Sequence, residues 1–389
     1  MNTIHALATA VPPYAYHQDY AADCMKRWVK DKAMRRMVTH LYRQSGIERR
    51  FSVVPDFQPG ATARLFRESP DGTLLEPTTG ERNRFYQETY PAVLMEAVRR
   101  VLATAPWIDP GAITHVITVS CTGFGNPGPD LLITRGLGLS GSVERYHLGF
   151  MGCYAAFPAL RMADQFCAAR PDAVVLVACI ELCSLHLQIK PTTDMLLANA
   201  LFADGAAAAL VSRRPLPAGK RGLELHHFAT RLIPDSAEEM AWSIGDRGFD
   251  MILSSYVPRI LGLHARDLLN DVLGGLPPGC RDVSEWAVHP GGKAILQALA
   301  QHMAWDPSRG ALRAAHEVLR DYGNMSSATI MFVWKAMLEA ADIEEGALVG
   351  SLAFGPGLTV EFGLMQVCGK PVTSETVAPH HALGGVPGP

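Results

Sequence analysis

From residue 115 to residue 212 the chain alternates between two periodicities. HVITVSCTGF (115–124), ERYHLGF (144–150) and AVVLVACIE (173–181) are short apolar runs of strand length. Between them, DLLITRGLGL (130–139) and CYAAFPALRMADQFCAAR (153–170) carry apolar residues at helical spacing. ALFADGAAAALVS (200–212) reads as a turn into a further strand. A strand apolar on both sides of its pleat needs cover on both faces. This alternation therefore predicts an α/β fold with a parallel or mixed sheet between helices.

The remainder extends the pattern. Residues 20–50 are rich in Lys and Arg and read as helix, as do residues 88–104. RRPLPAGKRG (213–222) is polar and rich in Pro and Gly, and marks a boundary between halves. Beyond it come EWAVHP (285–290), the helical GGKAILQALAQHM, a helix from about 324, and the strands ALVGSLAFG (347–355) and LTVEFGLMQV (358–367). The expected division is 1–222, 223–367 and a flexible Pro-, Gly- and His-rich tail over 368–389. A chain of 389 residues can bury one large core or two packed domains.

Charge narrows the function classes. The formal net charge is -3, so no basic face for nucleic acid is expected. Mean hydropathy is +0.08, which fits a large core or a large interface. The opening MNTIHALATAVPPY lacks the basic start and long apolar core of a secretory signal. No run approaches the roughly 18 apolar residues of a membrane span. The eight cysteines show no zinc spacing. These features predict a cytoplasmic protein with reduced thiols and no metal.

Three junctions between strand or turn and helix carry chemically capable side chains. Cys153 follows Gly152 in YHLGFMGCYAAFPAL, His289 ends an apolar strand in AVHPGGKAIL, and Asn324 follows a glycine in DYGNMSSATIMFVW. Backbone N–H groups and a positive dipole end are exposed at such junctions, and a thiolate is stabilised there. A nearby histidine can hold it as an ion pair. By themselves the residues also fit a buried apolar cysteine, a plain strand end and an ordinary N-cap.

HLGFMGCYAA, ALFADGAAAALV, VHPGGKAIL, GNMSSATI and AFGPGLTVE, in that order and spacing, resemble the type III polyketide synthases, the chalcone-synthase-like family. The resemblance spans about residues 3 to 367. It implies a thiolase-type fold: two similar α/β halves in five layers, helix–sheet–helix–sheet–helix, in a homodimer. It implies Cys153, His289 and Asn324 as catalytic residues. Cys153 would take an acyl group from acyl-CoA as a thioester. Malonyl-CoA would then lose carbon dioxide to give an enolate, stabilised by His289 Nε2–H and the Asn324 amide. CoA thioesters are substrates here, and no cofactor is implied.

The resemblance extends to binding residues. Phe202 matches a gatekeeper phenylalanine, and Met251 falls where a second one stands. Cys121 replaces a threonine, and Cys183 and His186 fall at cavity positions. Glu181 and Ser326, with Cys121, match a hydrogen-bonded set linked to cyclisation. Asn126 replaces a methionine that the family sends into the partner's cavity. Arg35, Arg36 and Arg43 lie on the early basic helix, where the family binds CoA phosphates, with Lys293 and Ala294 as further contacts. A Trp242 ring turned inward would shorten the cavity. The expected product is an alkylpyrone or alkylresorcinol from an aliphatic starter. The alternatives are a malonyl-primed synthase of a small phenolic and, less in keeping with these motifs, a single-round ketoacyl synthase III or a degenerate scaffold subunit.

Overall fold

The computed structural model describes residues 1–305 and 310–369 of the chain. The tail expected from 368 onward falls, after its first two residues, outside the described residues. Nine strands form one mixed sheet. Its order is Glu285–Val288, Leu348–Gly355, Thr359–Cys368, Gly222–Leu232, Asn2–Ala10, Asp204–Ser212, Val174–Leu182, His115–Ser120 and Glu144–Gly149. The first four strands come from the second half of the chain. The halves join where Asn2, Thr3 and Ile4 pair antiparallel with Leu225, Glu224 and Leu223.

Alternation along each strand sorts its side chains into different cores. Val174, Leu176, Ala178 and Ile180 pack beneath the helix Thr79–Thr104, while Val175, Val177 and Cys179 enter a second cluster. That cluster holds the helices Ala156–Ala169 and Thr329–Glu339, and it also receives Ala287, Val349, Ala353, Met365 and Val367 from the far half-sheet. The alternate residues Val288, Leu352, Phe354 and Phe362 face a third cluster, with the helices Val257–Gly275 and Lys293–Met303. Three clusters separated by two half-sheets make five layers. This is the thiolase-like arrangement, α/β in class. The continuity of the two half-sheets through one short antiparallel pairing was not foreseen.

Local differences have physical reasons. The stretch expected as helix over 20–50 holds two helices, Gln18–Trp28 and Lys32–Gln44, the second capped by Asp31 accepting from Met34 N–H, and it ends in the strand Arg49–Ser52. The helix expected over 88–104 starts at Thr79, where Thr78 and Glu81 form a capping box. The helix expected near 324 starts at Thr329, after a short 3-10 turn over Ser326–Ala328. No helix of the described residues is long and apolar enough to cross a membrane.

Candidate active site

Cys153, His289 and Asn324 line one cavity of about 1120 Å³, its mouth included. Each reaches it by a backbone reversal. Gly152 has φ +86°, which L side chains rarely adopt, and a Cβ there would run into the Pro356 ring. GC and FGPG are therefore two sides of one close approach. The helix behind Cys153 begins at Ala156. His289 follows the strand Glu285–Val288 and donates its backbone N–H to Leu352 O at 2.8 Å. Asn324 is pinned through its backbone: its N–H donates to Leu201 O at 2.9 Å, and Ala203 N–H donates to Asn324 O at 2.8 Å. This bridge ties GNMSS to ALFADG and sets Phe202 beside Asn324.

Burial governs the electrostatics. It pushes the Cys153 thiol up to about 11, against the lowering effect of the Ser326 and Asn324 side chains. It pushes the His289 imidazole down to about 3. His289 is 1% exposed, and neither ring nitrogen has a partner among the described residues. A buried polar group without a partner is costly, so two on one ring mark a site built to receive a ligand. Cys153 Sγ lies 4.0 Å from Asn324 Oδ1. That oxygen accepts from Ser326 N–H at 2.9 Å, and Asn324 Nδ2 donates to Gly291 O at 3.3 Å. The amide oxygen is thus the Asn324 atom nearest the sulfur, and the amide nitrogen is turned to the Gly291 carbonyl.

Phe202, Met251, Cys121, Cys183 and Ser326 all line this cavity, with His186 and Trp242. Trp242 pairs with Met251 across the hairpin formed by Met240–Gly245 and Gly248–Leu253. Its ring stacks on Phe249, which stacks on His186 at 3.6 Å between centroids. Phe249 stands two residues before Met251 on the same strand face, so this wall keeps a phenylalanine that the sequence reading missed.

Glu181 does not line the cavity; it is fully buried behind it. Its carboxyl accepts from Cys121 N–H at 3.0 Å, Thr122 Oγ1–H at 2.9 Å and Ser327 Oγ–H at 2.6 Å. The expected partner, Ser326, is replaced by its neighbour Ser327. Ser326 has φ +47°, which turns the two hydroxyls to different sides. Burial raises the Glu181 carboxyl to about 7.

Arg36, Arg43, Lys293 and Ala294 lie outside the cavity lining. Arg36, Arg43 and Ala294 are exposed, and Lys293 packs its Cβ 3.2 Å from the Cβ position of Gly46, just past the end of the basic helix. Asn126 is exposed beside the exposed Phe124. The sequence reading missed Arg50, which lines the cavity and donates from Nη1 to both Asn199 O and Phe202 O at 2.7 Å. Nothing in GIERRFSV distinguishes it from Arg49.

Known proteins share this architecture. Family models for the N-terminal and C-terminal domains of chalcone and stilbene synthases match residues 1–215 and 224–368. The 3,5-dihydroxyphenylacetyl-CoA synthase of Amycolatopsis orientalis is 30% identical over 363 residues, covering 92% of each chain. The alpha-pyrone synthesis polyketide synthase-like Pks18 of Mycobacterium tuberculosis is 28% identical over 369 residues, 94% of this chain and 91% of the other. Among solved structures, the C-terminal type III polyketide synthase domain of Steely1 from Dictyostelium superposes with a TM-score of 0.84 at 27% identity, covering 94% and 99% of the two chains. The 1,3,6,8-tetrahydroxynaphthalene synthase of Streptomyces coelicolor A3(2) gives 0.80 at 27% identity over 95% and 100%. The chain belongs to the chalcone and stilbene synthase family and is a type III polyketide synthase, an acyltransferase-type enzyme.

Proposed function

We propose that the enzyme loads an aliphatic acyl group from acyl-CoA onto Cys153 and extends it with malonyl-CoA to an alkylpyrone or alkylresorcinol. One observation carries this reading. One largely apolar cavity is lined by both the Cys153 thiol and an imidazole whose two nitrogens have no partner among the described residues. Cys153 passes its proton to His289 as sulfur attacks the thioester carbonyl, and the CoA thiolate leaves with that proton. Malonyl-CoA then gives up carbon dioxide, and the electron pair of the broken C–C bond forms the thioester enolate. A neutral His289 donates N–H to its oxygen, and the second amide hydrogen of Asn324 serves beside it after a small rotation from Gly291. The enolate carbon attacks the Cys153 thioester carbonyl, the acyl C–S bond breaks, Cys153 leaves as the thiolate, and the chain, now on CoA, is two carbons longer.

Burial supports this division of labour, because it keeps His289 neutral and therefore a donor. No cofactor enters these steps. The exposed charges of Arg36 and Arg43, on the helix whose end Lys293 packs against, support binding of the CoA phosphates there. Phe124 and Phe150, 37% and 48% exposed beside Asn126, support a second copy of the chain on this face; sedimentation at the monomer mass would refute that. The cavity wall formed by Trp242 favours a second reading, a malonyl-primed synthase of a small phenolic. A starter series from acetyl- to palmitoyl-CoA at fixed malonyl-CoA separates the two. The first predicts kcat/KM climbing with chain length, and a flat profile with full turnover in the absence of starter supports the second.

A further inference from the structure

A second cavity, of about 460 Å³, adjoins the first. The two share Arg50, Ser184, Leu187 and Phe202 as walls. Beyond that partition the second cavity is surrounded by Tyr16, Tyr20, Trp28, Tyr42 and Phe57. The polar ends of these aromatics are all bonded elsewhere. Tyr16 Oη–H donates to Val54 O at 2.7 Å, Tyr20 Oη–H to Phe57 O at 2.6 Å, Trp28 Nε1–H to Glu68 Oε1 at 2.6 Å and Tyr42 Oη–H to Asn199 O at 3.2 Å. The Ser184 hydroxyl is likewise committed, to Asp204 Oδ2 at 2.6 Å.

Arg50 Nε, at the partition, has no partner among the described residues; beyond it, what remains for an occupant is aromatic and aliphatic surface. A phosphate, sugar or carboxylate would lose its hydration there and gain little in return. A hydrocarbon loses nothing. Arg50 stands at the partition, its guanidinium 5.6 Å over the Tyr42 ring and bonded to the carbonyl of Phe202. It fixes the backbone of Phe202 through that carbonyl.

We propose that this second cavity is the seat of the methyl end of the alkyl chain carried on Cys153, entered past Phe202 and Leu187. The assignment rests on the alkyl-starter reading above and names where the chain goes. It places the length sensor of the enzyme on the helix Gln18–Trp28, away from the reacting atoms.

Ala21 lines the second cavity and not the first, and so does Tyr20. Ala21→Phe fills the space and Tyr20→Ala enlarges it. Both are assayed with saturated acyl-CoA starters from two to sixteen carbons. Each methylene that finds room raises kcat/KM about fourfold. Ala21→Phe is expected to keep wild-type kcat/KM with acetyl-CoA and lose at least about tenfold at the wild-type optimum, roughly two methylenes' worth. Tyr20→Ala is expected to move the optimum to longer chains. Unchanged length profiles in both variants overturn the second cavity as the chain's seat and leave the alkyl-starter reading intact. An equal loss with acetyl- and long-chain CoA in Ala21→Phe marks a folding defect and passes the decision to Tyr20→Ala, whose unmoved optimum overturns the assignment. A wild-type profile that is flat with length removes the alkyl-starter reading, and the chain's seat with it.

Discussion

Cys153 and His289 meet opposite demands from the same burial: the thiol is driven up to about 11 and the imidazole down to about 3. Neither ionises readily alone. Passing the proton from sulfur to imidazole creates both charges together, and in a low-dielectric cavity each stabilises the other. Iodoacetamide inactivation of the wild type is therefore expected to titrate well below that of His289→Ala, whose Cys153 keeps only the burial effect and the Ser326 and Asn324 contacts. Equal titration midpoints would show that His289 does not hold the thiolate. Asn324→Ala is expected to acylate Cys153 yet lose on the order of 100- to 1000-fold in malonyl-CoA decarboxylation; an extension rate equal to wild type would remove its role. Glu181 is a further buried titratable group, behind the cavity wall. Its folded value of about 7 lies above the ordinary 4.5, so it favours folding while protonated, and this contribution is lost as pH rises through 7. Glu181→Gln is expected to gain stability relative to wild type between pH 5 and pH 8, by up to about 3 kcal/mol. Thermal melts across that window check it, and a constant difference between the two proteins contradicts it.

At the scale of elements, the site is made by reversals rather than by helices or strands. Gly152 takes a positive φ so that the turn before Ala156 can press against the Pro356 ring. Gly152→Ala is expected to cost about 1–3 kcal/mol from the backbone alone, with the Pro356 clash in addition. It is also expected to slow Cys153 alkylation, measured beside the melting temperature. A melt within a degree of wild type would mean that the close approach is unimportant. These reversals were legible because they need Gly and Pro, and GC, HPGG, GNMSS and FGPG stand out as such. The choice between Ser326 and Ser327 was not legible, because it depends on one positive φ at a non-glycine residue. Thr122 and Arg50 were equally hidden, since a hydroxyl and a guanidinium look alike in sequence whether they face solvent or a buried carbonyl. The hairpin over Met240–Leu253 shows no clean alternation of buried and exposed residues, so Phe249 gave no sign of its place on the cavity wall.

At the scale of the molecule, the buried strands announce themselves as continuous apolar runs, and those runs follow from a sheet covered on both faces. The five-layer stacking leaves no such local mark. It depends on which alternate residues share a cluster, as Val175 and Val349 do across the layer of the helix Ala156–Ala169. The central claim is that this architecture delivers one nucleophile to one cavity. Two other cysteines, Cys121 and Cys183, line the same cavity, and burial raises both thiols well above their ordinary value. Peptide mapping by mass spectrometry after incubation with lauroyl-CoA tests the claim most directly. The expected result is a single lauroyl adduct on Cys153, absent in Cys153→Ala. An adduct on Cys121 or Cys183, or one that survives in Cys153→Ala, would contradict it.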